Sequence, residues 1–248
     1  MQYQPFPPQQ PYVPAGPPAW LRSPVGLSRA VMVLLGVAAV VDLYSLWAGI
    51  VMRDVTSDLI SGTFGADVEQ EAERADSLYA ASGFLQVAAL IATAVVFIVW
   101  FHRVRVNAEV FAPNEHQKKR GWAVWGWLVP IVNLWFPRRI ALDIWNASDT
   151  RTNHDSPGIL NAWWSLWVAD LLVGRWASRT YMRAEEPEEI KSAVANMMIA
   201  DVLDIVAAIL AIVFVHRLTR MQDLKARSGP PQFQPPQFQA PQGPHVAP

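Results

Sequence analysis

Five apolar runs constrain this chain more than anything else in it: Ala30–Val51, Ala80–Phe101, Gly121–Phe136, Leu160–Arg179 and Ala193–Val215. An α-helix rises about 1.5 Å per residue, so about 20 residues cross a hydrocarbon core about 30 Å thick. Four of the runs have that length, whereas the third has sixteen residues before Pro137-Arg138-Arg139. Only 17% of the residues are charged and 52% are hydrophobic, against about 25% charged in a typical soluble domain. The expected fold class is an all-α integral membrane protein. Four transmembrane helices are expected, with the Trp/Pro-rich stretch Gly121–Asn146 as a re-entrant or broken helical segment; five full spans are the alternative.

Basic residues in short loops stay on the cytoplasmic side of a membrane. If the N-terminus is inside and Gly121–Asn146 enters and leaves on one side, 14 Lys and Arg lie inside and 6 outside. If all five runs cross, the split is 11 to 9. The first arrangement is therefore expected, with both termini cytoplasmic in a multi-pass protein of the plasma membrane. It also places the acidic stretches Asp67–Asp76 and Glu185–Glu189 outside. Carboxylates favour helix N-termini, where they oppose the helix dipole. The second helix should thus begin near Asp67, and the last near Pro187, a first-turn proline followed by Glu188 and Glu189.

The ends differ in kind from the middle. Residues 1–25 and 227–248 are Pro/Gln-rich, the second carrying a repeated Pro-Pro-Gln-Phe-Gln unit. Proline removes backbone donors and fixes φ, so both tails should be disordered with polyproline II character. Residues 26–226 form the helical membrane domain between them. Ala30–Val51 is longer than the apolar core of a cleavable signal and reads as an anchor that is kept.

Several classes of function are disfavoured. A net charge of −1 does not suit nucleic-acid binding, which usually needs a basic patch. With no cysteine, thiolate catalysis and cysteine-held metals are impossible. The five histidines are scattered without ligand spacing, and there is no phosphate-binding loop or nucleophile elbow. No catalytic residue, metal or cofactor is expected, and the chain reads as non-enzymatic.

The chemistry-bearing residues lie within the apolar runs. Asp42, Asp170, Asp201 and Asp204 should converge on one depth near mid-bilayer, and Asp201 and Asp204, three apart, share a helix face. A central Asp costs about 2.5–3.5 kcal/mol on insertion, while each Leu, Ile, Val or Phe returns about 0.3–0.6. The eleven such residues in Ile199–Val215 therefore only roughly balance the two Asp of the last run. Such carboxylates must face protein or water, be partnered, or be protonated. The available partners are Arg175, Arg138, Arg139, the tryptophan N–H groups, Asn133, Asn161 and Asn196. The simpler reading is a hydrogen-bonded network that fixes helix packing, and the functional one is a proton or cation relay.

Arg138, Arg139, Lys118, Lys119 and Arg120 are candidates for contact with anionic lipid headgroups, beside a plain role as positive anchors. Trp47, Trp100, Trp163, Trp164 and Trp176 fall near helix ends and read as interfacial belts. Gly36, Ala39, Ala88, Ala92, Ala200, Ala207 and Ala211 permit close helix approach.

A family resemblance rests on motifs in order: Trp100–Ala108 (WFHRVRVNA), Gly121-Trp122, Trp127–Leu134 (WLVPIVNL), Pro137, Asp143-Ile144-Trp145, Trp163-Trp164 and Arg217–Gln222 (RLTRMQ). Together these resemble the actinobacterial membrane family known as domain of unknown function 4328, over Gly26–Gln222. The resemblance implies a multi-pass protein of the bacterial plasma membrane and carries no activity or site residue with it. The leading expectation is a non-enzymatic protein that lies in the lipid bilayer and organises or regulates partners there, engaging cytoplasmic proteins through its tails. The alternative is a small transporter or channel that uses the mid-membrane carboxylates.

Overall fold

The computed structural model describes residues 21–62, 65–150 and 156–228. Most of both proline-rich tails, residues 1–20 and 229–248, lies outside the described residues. Among the described residues the chain is helical and holds no strand: α1 (Val25–Ile60), α2 (Ala66–Phe111), α3 (Trp122–Leu128), a 3-10 turn (Val132–Leu134), α4 (Phe136–Ser148), α5 (Gly158–Tyr181) and α6 (Pro187–Arg227). The two acidic starts fall where expected. Asp67 and Glu69 occupy the first turn of α2, and Pro187 opens α6 ahead of Glu188 and Glu189. Lys225 and Arg227 sit in the last turn of α6, where cations oppose the other end of the dipole.

Three helices, α1, α2 and α6, are long and apolar enough to cross a membrane. α5 has 24 residues, enough length, but it carries Asn161, Asp170, Arg175 and Arg179 and is not among them. Rows of large apolar side chains are exposed along the outer faces, including Val33, Val37 and Val40 of α1 and Phe84, Leu90 and Ile91 of α2. That outward apolarity suits a lipid solvent and would be a liability in water.

Gly121–Asn146 is not one helix. α3 has 7 residues and α4 has 13, so by the 1.5 Å rise they reach about 10 Å and about 20 Å. Pro130 and Ile131 make the break. The Val132 N–H donates to the Pro130 carbonyl at 2.8 Å, which closes a γ-turn with Ile131 at φ 68°. A β-branched residue rarely adopts that region, and the turn is strained. The result is a short hairpin that exposes Trp125, Leu128, Ile131 and Trp135.

Helix α1 packs on both α2 and α6, and α6 packs on α5, so the long helices follow the order α2, α1, α6, α5. At one end of the bundle the hairpin lies between the two ends of this row, with α3 on α2 and α4 on α2, α5 and α6. α6 packs tightly on α1 at Gly49, where an added Cβ would stand 3.1 Å from the Met198 Cγ. The residues flagged for close packing behave unevenly: Ala200, Ala207 and Ala211 are buried, whereas Gly36 has nothing within 4 Å of a built Cβ and Ala88 and Ala92 are exposed.

The core of the hairpin end is aromatic. Trp127 of α3 stands edge-on to Phe97 at 5.3 Å and to Phe101 at 5.5 Å, and packs on Trp163, Trp164 and Trp167 of α5. Phe214 of α6 stacks on Trp163 at 4.8 Å and on Trp145 of α4 at 6.3 Å. Edge-on and offset pairs of this kind add about 0.5–1.5 kcal/mol beyond burial. Trp100, Trp163 and Trp164, expected at a lipid interface, are instead buried here. The hairpin brings them enough aromatic surface to fill the bundle, and only Trp47 and Trp176 of the expected belt are exposed. A second, smaller apolar cluster of Met52, Val55, Ala75 and Val194, with Tyr79 and Tyr181 against it, closes the opposite end.

Candidate functional site

Helical spacing of three and four residues gives each long helix an inward stripe. On α5 it runs Trp163, Trp167, Asp170, Gly174, Ala177 and Tyr181; on α2 it runs Tyr79, Ser82, Gln86, Thr93 and Phe97. On α1 Asp42 and Ser45 lie three apart, as Asp201 and Asp204 do on α6. Where these stripes meet between the two apolar clusters, they make a polar layer.

Gln86 is its centre. The amide nitrogen of Gln86 donates to Asp42 Oδ1 at 2.9 Å and to Asp201 Oδ1 at 2.8 Å, so one side chain ties α2 to α1 and to α6. The Ser45 hydroxyl also reaches Asp201. Asp204 stands against Asp42, and Asp170 of α5 interacts electrostatically with Asp42, Asp201 and Asp204. The four aspartates lie within electrostatic reach of one another. Asp42 and Asp201 are 2% and 5% exposed, Asp170 is half-buried and Asp204 is exposed.

The layer has too few donors. An amide nitrogen has two hydrogens and a carboxylate none, and both Gln86 hydrogens are already used. Asp42 Oδ2 is buried with no donor against it, while a second carboxylate, Asp204, faces the group. Two carboxylates so close repel unless a proton or cation lies between them. Among the described residues no Lys or Arg forms an ion pair with any of the four. Arg175, expected as a partner, is exposed on α5 and takes no part. Asn133 sits in the hairpin turn, bonded through its own backbone N–H to the Val129 carbonyl, and contributes no bond to the layer. The helix stagger puts Arg175 more than a turn past Asp170, on another face, and the break at Pro130 and Ile131 holds Asn133 among the hairpin residues.

The basic candidates are largely engaged by the protein itself. Arg120 pairs with Glu109, which also pairs with Arg105 at 2.8 Å. Lys118 Nζ lies 4.4 Å over the Phe136 ring, and Arg138 donates to the Asn161 side-chain oxygen at 2.8 Å. Lys119 and Arg139 are exposed.

A second polar layer at the hairpin end was not anticipated. Asn107 donates to the Arg22 carbonyl at 2.8 Å and to Gln222 Oε1 at 3.2 Å, and accepts from the Arg22 N–H at 3.1 Å. Gln222 donates in turn to the Val104 carbonyl at 2.9 Å and to Ser148 Oγ at 3.2 Å. Lys225 Nζ donates to the Ala147 and Asp149 carbonyls at 2.7 and 2.9 Å, capping α4. Asn107 and Gln222 both belong to motifs that carry the family resemblance, and their burial at the helix ends gives those motifs a packing role. Gln86 was also missed, although it is the only amide in the Ala80–Phe101 run.

An all-helical bundle with long apolar helices and a broken Trp/Pro hairpin is the class of protein these observations define. The model of a family described as Domain of unknown function (DUF4328) matches residues 65–220, and the chain belongs to that family. The match opens at the start of α2 and closes in the last turns of α6; it excludes α1, which supplies Asp42. No curated protein and no solved structure matches the chain.

Proposed function

We propose that this is a multi-pass, non-enzymatic protein of the bacterial plasma membrane that exchanges protons or monovalent cations at the Asp42, Asp170, Asp201 and Asp204 layer, as a small transporter or channel. The observation that carries the reading is Asp42, 2% exposed, with an Oδ2 that no donor meets and a second carboxylate in front of it. A network built only to fix packing would satisfy its buried groups, because an unsatisfied one costs about 1–3 kcal/mol. In this reading α1, α2, α5 and α6 cross the membrane and the α3–α4 hairpin enters and leaves on the cytoplasmic side, with both termini inside.

Purified protein in liposomes should pass protons or sodium under an imposed gradient. Replacing all four aspartates with asparagine should abolish that flux while the protein keeps its size-exclusion profile. Absence of flux in the wild-type chain under either gradient overturns the reading. Topology is tested by single cysteines in the naturally cysteine-free chain. A membrane-impermeant thiol reagent should label Ser77→Cys and Ser192→Cys from outside and Asn114→Cys and Asn146→Cys only from inside. External labelling at position 146 would mean that the hairpin crosses. A role in organising partners draws on the tails and on exposed Trp125 and Trp135; deleting both tails should then remove a co-purifying protein.

A further inference from the structure

The donor missing from the carboxylate layer identifies its occupant. Gln86 directs its two amide hydrogens at Asp42 Oδ1 and Asp201 Oδ1, which leaves Asp42 Oδ2 as the buried oxygen with no hydrogen against it. Asp204 stands against Asp42 from α6. Among the described residues, the charged groups that act on Asp42 are all carboxylates: Asp204 and Asp201 on α6 and Asp170 on α5. On α2 the group facing Asp42 is the neutral Gln86 amide. Two facing carboxylates repel, whereas one proton held between them turns the repulsion into a hydrogen bond. Of the proton and the monovalent cation that the layer could exchange, the proton also suits the way Gln86 is used. A metal ion draws oxygens in from several sides, but Gln86 turns one oxygen of Asp42 and one of Asp201 toward its own hydrogens.

We propose that Asp42 and Asp204 hold one proton between them, and that Asp204 is the residue through which it exchanges. This rests on the layer being the exchange site described above and names the proton as its ligand. Asp42 is 2% exposed and Asp204 is exposed, so a proton arriving from outside the pair meets Asp204 first. In the loaded state Asp204 carries the O–H bond and donates it to Asp42 Oδ2, and the pair bears a single negative charge. Release breaks that O–H bond, passes the proton to water and leaves two carboxylates facing each other, which favours reloading.

The test is infrared spectroscopy on the full-length protein in liposomes at neutral pH, read at the carboxylic C=O stretch. The wild-type chain should show a carboxylic band that shifts in D2O. Asp204→Asn and Asp42→Asn should each abolish it, because the new amide supplies the missing hydrogen and the remaining carboxylate stays ionised; Asp170→Asn should keep it. Absence of any carboxylic band from the wild-type chain overturns the proposal without recourse to any variant. A band that survives either of the first two substitutions, or is lost only with Asp170, also overturns it. A band that does not shift in D2O overturns the role of Asp204 in exchange. Replacing choline chloride with sodium chloride should leave the band unchanged; its loss would place sodium at the pair and overturn the proposal. Sodium flux without the band leaves the transport reading standing and removes this one, while the band without flux under either gradient does the reverse.

Discussion

Twenty-one residues separate Gln86 from Asn107 on α2, and twenty-one separate Asp201 from Gln222 on α6, so the two polar layers lie about 32 Å apart along the bundle. Each layer is organised by amides that bridge helices. In the hairpin layer, Asn107 and Gln222 find a partner for each polar atom, and Lys225 caps α4 from the same end. In the carboxylate layer, Gln86 spends both hydrogens and still leaves Asp42 Oδ2 without a donor. Fully satisfied polar networks fix a fold, whereas partly satisfied ones cost stability. The contrast separates a layer whose amides are fully partnered from one that is short of a donor.

The comparison breaks most directly on stability. Gln222→Leu, nearly equal in volume, takes the acceptor from one Asn107 hydrogen and the donors from Ser148 Oγ and the Val104 carbonyl, and should destabilise the protein by about 2–4 kcal/mol. Asp42→Asn should instead be neutral or stabilising by about 1 kcal/mol, since it removes a buried charge that lacks a counter-ion. Thermal unfolding in detergent, with both variants side by side, measures the difference; an Asp42→Asn loss as large as that of Gln222→Leu would return the carboxylates to a packing role. A smaller effect is expected from Gln86→Leu, which takes the only amide from the carboxylate layer and should cost about 1–3 kcal/mol. Asp42→Asn in the same chain should recover part of that loss, because the new amide supplies a donor; a double-mutant cycle on melting reads the coupling. The smallest is Lys225→Met, which keeps the aliphatic stem but loses the cap on α4. About 1 kcal/mol is expected, seen as faster amide exchange in the last turn of α4 with the carboxylate layer unchanged.

Much of this molecule is legible in one dimension because helices in an apolar solvent are local objects. The starts of α2 at Ala66 and α6 at Pro187 follow from acidic and proline residues placed against a dipole. The convergence of Asp42, Asp170, Asp201 and Asp204 follows from counting residues at a fixed rise. Partner choice is not local in that way. Gln86 outcompetes Arg175 because it lies on the inward stripe of α2, and which stripe is inward depends on the neighbours of the helix. The same holds for the tryptophans: Trp163 and Trp164 sit near a helix end, where sequence position suggests an interface. They are buried because a hairpin more than twenty residues earlier folds back against them.

The chain by itself determined the class of fold, the long helices and their polar interruptions, and the break in Gly121–Asn146. All of these depend on composition, spacing and residues that cannot continue a helix. Tertiary structure alone decided which polar groups are satisfied. Hydrogen-bond donors are counted across helices, and only the packing of α2 against α1 and α6 shows that Asn107 and Gln222 complete one layer while Gln86 leaves the other short.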